Sequence, residues 1–211
     1  MEIGKPFEWN VVVVGAWNLS ILTPRGIGRK LFQVAANTPM EIKVPIDRKA
    51  SISVTHSDVT VIPSESRLEI MPVTPNPNLL VDAANIAIKA VDWLSETPMK
   101  AAGINVKYKF KSLPDDFITV LNSTLDDKLT DCPLSTRERG LTRTVDWEPG
   151  VININIQEHK DTSGTVTFNF HRQSESVDEL KEWINKTKEM REKVATLLAS
   201  IFNYNVGGED E

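Results

Sequence analysis

The sequence predicts an α+β protein, an antiparallel sheet with two long helices packed on one face. Two observations lead there. Short β-branched segments separated by turn residues recur through both halves of the chain, and each half closes on a long run whose apolar residues fall at three- and four-residue steps. The last of these runs, Ser176 to Phe202, is the strongest. Val177, Leu180, Trp183, Ile184, Met190, Val194, Leu197, Leu198, Ile201 and Phe202 form one stripe, with Asp178, Lys181, Glu182, Lys186, Lys188, Arg191 and Glu192 largely between them. Ser176 and Glu179 read as a capping box. One helix of about 27 residues measures about 40 Å, which suits this chain only if it braces a broad sheet.

In chain order, Trp9 to Gly15 is apolar on both parities, as in a strand covered on both faces, and Trp17, Leu19 and Ile21 extend the alternation past a possible bulge at Gly15. Thr23 and Pro24 open a short helix with Ile27, Leu31, Phe32 and Val34 on its apolar side. Met40 to Ile46 contains Pro45 and suits an edge strand. Ile52 and Val54 are answered by Val59 and Val61 across a turn at His56 to Asp58, and Leu68 and Ile70 mark a further strand. Asn76 and Pro77 begin the first long helix, closed by Pro98. The second half repeats this order: a strand at Ile104 to Lys111, a short helix opened by Pro114, an irregular acidic stretch through Asp131, then strands Arg139 to Trp147, Val151 to Glu158 and Thr165 to Arg172.

Side by side, Pro24 matches Pro114, Ile27 matches Phe117 and Leu31 matches Leu121, so the halves read as two β-α-β(3-4)-α repeats, residues 1–98 and 99–205, with a polar, disordered tail at 206–211. This order, with its hairpins and long helices, resembles the TATA-box-binding-protein-like fold. The resemblance implies two units sharing one curved antiparallel sheet with the helices on its convex side. The rival architecture is a single helix-grip domain, one sheet wrapped around the last helix.

With 211 residues the chain can bury roughly 70% of its unfolded surface without staples. A lone Cys132 excludes an internal disulfide and a multi-cysteine zinc site, and is expected to be a buried thiol. A net charge of −5 disfavours whole-surface attraction to nucleic acid or anionic lipid. The acidic N-terminus, with no long apolar span, predicts a cytosolic protein.

The last hairpin yields the candidate site. Ile152, Ile154 and Ile156 share a parity with Val166, Phe168 and Phe170, so facing residues must sum to an even number. A three-residue loop of Thr162, Ser163 and Gly164 meets that condition, pairing Asp161 with Thr165, Ile156 with Phe170 and Asn155 with His171. The other face is then Asn153, Asn155, Gln157, His159, Thr165, Thr167, Asn169, His171 and Gln173, neutral groups that suit either a solvated surface or recognition of a partner's polar atoms. Ser51, Ser53, Thr55 and Thr60 would extend it if the halves share a sheet.

A basic row, Lys107, Lys109 and Lys111 with Arg137, Arg139 and Arg143, reads as edge protection or as a phosphate-contacting patch. Gly26 to Lys30 lacks the Lys-Ser or Lys-Thr of a phosphate loop, although Arg25 and Arg29 favour an anion there. His56, His159 and His171 lack the spacing of a metal site, and Asp115–Asp116 and Asp126–Asp127 are adjacent pairs that point apart. No nucleophile, base and orienting group assemble. The expected function is a non-catalytic module binding a protein partner or itself through the neutral face, without cofactor, metal or membrane. The alternatives are a nucleic-acid-binding protein using the basic row, and an enzyme or small-ligand carrier with a cavity beneath the last helix.

Overall fold

Two strands whose fully buried apolar residues fall on one face of the sheet pair at the centre of the molecule. The structure is a computed structural model that describes residues 6–46, 51–132, 134–160 and 163–204. β1 (Pro6–Gly15) runs antiparallel to β6 (Met99–Phe110), with Val11 opposite Ile104 and Val13 opposite Ala102. The first half adds β5 (Arg67–Pro72), β4 (Val59–Pro63), β3 (Ser53–His56) and β2 (Glu41–Lys43) outward from β1, and the second half adds β9 (Gly164–Gln173), β8 (Gly150–Glu158) and β7 (Arg139–Trp147) outward from β6. The result is one nine-stranded antiparallel sheet in the order β2-β3-β4-β5-β1-β6-β9-β8-β7. β2 is the expected edge. Ser57 and Asp58 adopt φ of 47° and 59° between β3 and β4, the left-handed backbone that a two-residue hairpin turn requires.

One face is apolar. Trp9, Val11, Val13, Val61, Leu68, Ile70, Ile104, Val106, Tyr108, Ile152, Phe168 and Phe170 are buried there beneath the helices. α1 (Pro24–Lys30) is capped by Thr23, whose Oγ1 accepts from Gly26 N at 3.2 Å, and it buries Ile27. α2 (Pro77–Trp93), capped by Asn76, turns Leu80, Ala83, Ala87, Ala90 and Val91 inward against β1, β4 and β5. α3 (Asp115–Leu121) places Phe117 in a stack with Phe202, ring centroids 4.2 Å apart.

The long C-terminal helix is two helices, α5 (Val177–Asn185) and α6 (Thr187–Phe202). Thr187 is the cause. It occupies the stripe position between Ile184 and Met190, is buried, and its hydroxyl donates to Ile184 O at 2.5 Å, while Lys186 N donates to Trp183 O in a tighter turn. Leu180, Trp183, Ile184, Met190, Val194, Leu198 and Phe202 are buried as the stripe requires, but Ile201 is exposed.

The cap is also half of what the sequence suggests. Ser176 Oγ accepts from Glu179 N, yet the Glu179 carboxylate accepts from Arg172 Nη2 at 2.5 Å and Ser174 Oγ at 2.8 Å rather than from the Ser176 amide. Arg172 first, then Ser174, holds the Glu179 carboxyl below its ordinary range. A depressed folded value stabilises the protein above the unfolded value and loses that contribution as pH falls through the folded one. We therefore expect Glu179→Gln to flatten the acid limb of a stability-versus-pH curve; an unchanged limb would show that the Arg172 contact contributes nothing.

Three further expectations are corrected. Trp17 is buried, but Leu19 and Ile21 are exposed and form no strand, because Ala16 N bonds to Pro98 O and the chain turns at Asn18. The acidic stretch holds a further helix, α4 (Thr124–Asp131), opened by a full capping box between Ser123 and Asp126. Cys132 ends that helix exposed, not buried. The tail expected to be disordered, 206–211, lies outside the described residues.

Candidate functional site

The face opposite the helices has one row of amides across its centre. Asn10, Asn105, Asn169, Asn153 and Thr144 stand directly opposite one another on β1, β6, β9, β8 and β7. Their side chains form a continuous chain of hydrogen bonds. Thr144 Oγ1 donates to Asn153 Oδ1 (2.7 Å), Asn153 Nδ2 to Asn169 Oδ1 (2.9 Å), and Asn169 Nδ2 to Asn105 Oδ1 (2.7 Å). Asn105 Nδ2 donates to Asn10 Oδ1 (2.6 Å), and Asn10 Nδ2 to Glu69 Oε1 (2.7 Å) on β5. The ends fix the direction. Glu69 as a carboxylate can only accept, so Asn10 must present its amide there and its oxygen to Asn105, and the same constraint passes along the row to the Thr144 hydroxyl. Six strands are thus tied by a ladder with one polarity. Beyond it, Thr55 Oγ1 and Thr60 Oγ1 lie 2.9 Å apart on β3 and β4, and Asn155 Nδ2 donates to Thr142 Oγ1 at 2.8 Å.

The expected parity holds and the expected register does not. Ile156 faces Val166 rather than Phe170, and Asn155 faces Thr167 rather than His171, which pairs instead with Val151 and Gly103. The turn lies two residues earlier in the chain than expected: Glu158 pairs with Gly164 and His159 N donates to Ser163 O at 2.8 Å. Gly164 sits inside β9, where an added Cβ would meet Leu113 Cγ at 2.4 Å, so close packing explains this glycine. Thr165 faces Gln157; its expected partner Asp161 lies outside the described residues, as does Thr162. A slip by an even number of residues keeps every side chain on its face. Asn153, Asn155, Gln157, Thr167, Asn169 and His171 therefore share the open face, half-buried apart from the exposed Gln157. His159 follows the end of β8 and lines a separate cleft.

The basic residues do not form one row. β9 and β8 lie between β6 and β7, so the lysine and arginine strands are about 14 Å apart at ~4.8 Å per strand. Arg139 and Arg143 pair with Glu158 and Ile154, on the parity of the helix side, whereas Lys107 and Lys109 pair with Thr167 and Thr165 on the open face. Lys111 lies beyond the end of β6. Three of the open-face cations have a carboxylate nearby, Lys107 3.7 Å from Glu8, Arg67 3.8 Å from Glu69 and Lys43 3.3 Å from Glu41, while Lys109 keeps its charge and lies over the Phe7 ring at 5.7 Å.

Two clefts lie away from the ladder. One, of about 230 Å³, is lined by Asp126, Arg137, Glu138, Arg139, Glu158, His159 and Lys160. Arg139 Nε donates to Glu158 at 2.6 Å, and that bond, opposed by burial and aided by the nearby Asp126 charge, leaves the guanidinium more firmly protonated. The second, of about 610 Å³, lies among Pro24, Arg25, Gly28, Arg29, Val34 and Met40. Gly26 and Gly28 are explained by packing: an added Cβ would stand 2.3 Å from Ile21 O or 2.7 Å from Met40 Cε.

Among the described residues no three His, Cys, Asp or Glu side chains converge as a metal site needs, and no helix is long and apolar enough to cross a membrane. The ladder is what sequence reading missed. Equal spacing of Asn10, Asn105, Asn153 and Asn169 from the apolar residues of their strands was its only signal, and strand order was needed to use it. Neither the protein-family comparison nor the comparison with curated proteins yields a match.

Proposed function

We propose that the chain is a non-catalytic interaction module whose open sheet face contacts a protein partner or a second copy of itself. The amide ladder carries this reading. Each asparagine in it spends one N–H and one lone pair along the row, and the half-buried Asn105, Asn153 and Asn169 keep one of each for a partner, whereas Asn10 is buried. Because the row already fixes the rotamers, a partner that bonds to it has little side-chain entropy to quench. The surrounding Thr, Asn and Gln side chains are inexpensive to desolvate, and local charge pairing leaves little net field. Strand order supports taking the halves as two units, since the first strand of each meets the other at the centre.

The experiment uses residues outside the ladder. Gln157→Glu together with His171→Glu places two charges on the face without cutting the Asn10–Thr144 row, so the melting temperature should hardly move while partner binding or self-association falls by about tenfold or more. A double variant that folds and binds at native affinity would remove the face from consideration.

Compensated lysines make poor phosphate contacts. We expect no submicromolar binding of single- or double-stranded DNA or RNA at physiological salt. Tight, steeply salt-dependent binding there, flattened by Lys109→Glu, would favour the nucleic-acid reading instead.

A further inference from the structure

The two edges of the sheet are built differently. β2 is three residues long, carries the Glu41–Lys43 ion pair and is followed by Pro45, devices that discourage another strand from adding. β7 is nine residues long, contains no proline, and keeps unbroken register with β8 from Arg139–Glu158 to Trp147–Gly150. It is the last strand in the sheet order, so among the described residues no strand lies beside its outer backbone N–H and C=O groups.

We infer that the outer edge of β7 is a docking strand for an extended segment of another protein with the pattern apolar–x–acidic–x–apolar. Its side chains set that pattern. On the helix side Leu141, Arg143 and Val145 follow one another at two-residue steps, and on the open side Gly140, Thr142 and Thr144 are small or hydroxylated. Arg143 is exposed, its Nη1 donates to the neighbouring Thr142 O, and among the described residues no carboxylate forms an ion pair with it. Val145 is 39% exposed, Leu141 is half-buried, and Ile154 behind Arg143 is half-buried although it lies on the core parity. The apolar face thus runs past the helices to the edge. A strand added there would set an acidic residue against Arg143 and apolar residues against Leu141 and Val145, and its backbone would satisfy the outer row of β7. A second copy fits badly. Antiparallel self-pairing centred on the strand puts Arg143 opposite Arg143, and like charges directly opposite are destabilising.

This proposal does not rest on the open-face reading, and its test separates the two. The probe is a fluorescent nine-residue peptide with a Val-Thr-Glu-Thr-Val centre, titrated into the full chain. We expect saturable binding that weakens about tenfold for a peptide with lysine in place of glutamate, and a reversal of that preference with Arg143→Glu. Methylating alternate peptide nitrogens should abolish binding, since it removes the N–H groups a β-ladder needs and leaves the protein untouched. Gln157→Glu with His171→Glu should leave the peptide affinity as it was. Absence of binding, indifference to N-methylation, or a charge preference that Arg143→Glu does not reverse would overturn the proposal. Concentration-dependent dimerisation that Arg143→Ala, which removes the like-charge pair, enhances would also overturn it, by assigning the edge to a second copy.

Discussion

Replacing Trp183 by alanine is expected to cost about 3–5 kcal/mol, lowering the melting temperature by roughly 6–20 °C for a chain of this length. Trp183 is 1% exposed and stands 5.3 Å from Trp147, whose ring in turn meets Phe170 at 5.2 Å. Gly150 approaches so closely that an added Cβ would lie 2.7 Å from Trp183 Cη2, leaving little freedom for the site to collapse around the void. Among the described residues the buried Nε1 has no hydrogen-bond partner, so the expected loss is one of packing. Urea and thermal unfolding measure it. A change under about 1 kcal/mol would mean that α5 does not brace the sheet, because a buried aromatic truncation cannot be so cheap.

Asn105→Asp is the second large effect, about 2–4 kcal/mol at neutral pH, since it buries an uncompensated like contact where a hydrogen bond stood. Asn105 donates to Asn10 Oδ1 and accepts from Asn169 Nδ2. A carboxylate keeps the second bond and turns the first into acceptor against acceptor. Asn10 cannot flip to relieve this without presenting its oxygen to Glu69, and Asn10 is only 5% exposed. When protonated, the new carboxyl can donate to Asn10 again, so folding raises its pKa above the unfolded value near ~3.9. The sign follows. The restored contact is fully present below the unfolded value and lost as pH rises through the folded one, so the deficit should be smallest in acid and grow toward neutrality. A deficit independent of pH would indicate that the row does not act as a polarised ladder.

The sequence made the α+β class legible because period-two segments and three-to-four-residue stripes depend on which face is buried, and Val11, Ile104, Phe168 and Leu198 are all buried where those patterns put them. Parity survived in the last hairpin for the same reason. Register did not, because a slide of four residues preserves the burial pattern while moving Asn155 from His171 to Thr167. The break at Lys186 was written in Asn185 and Thr187, poor helix formers set into an otherwise continuous stripe, and in the buried threonine hydroxyl that takes a helix carbonyl. Ser123 and Asp126 likewise announced α4. The ladder needed β6 between β1 and β9, a non-local fact that no local pattern carries. The same fact dispersed the basic row, since Lys107 and Arg139 lie on strands consecutive in the chain yet three strands apart in the sheet.

The central claim, that the open face is the contact surface, is tested most directly by carbene footprinting of the full chain, free and bound to its partner or to itself. Labelling should fall on bonded association at Lys107, Lys109, Gln157, Thr165, Thr167 and His171, and should stay unchanged on the outward sides of α2 and α6. Protection of those helices, with the open-face residues labelled as in the free chain, would contradict the account.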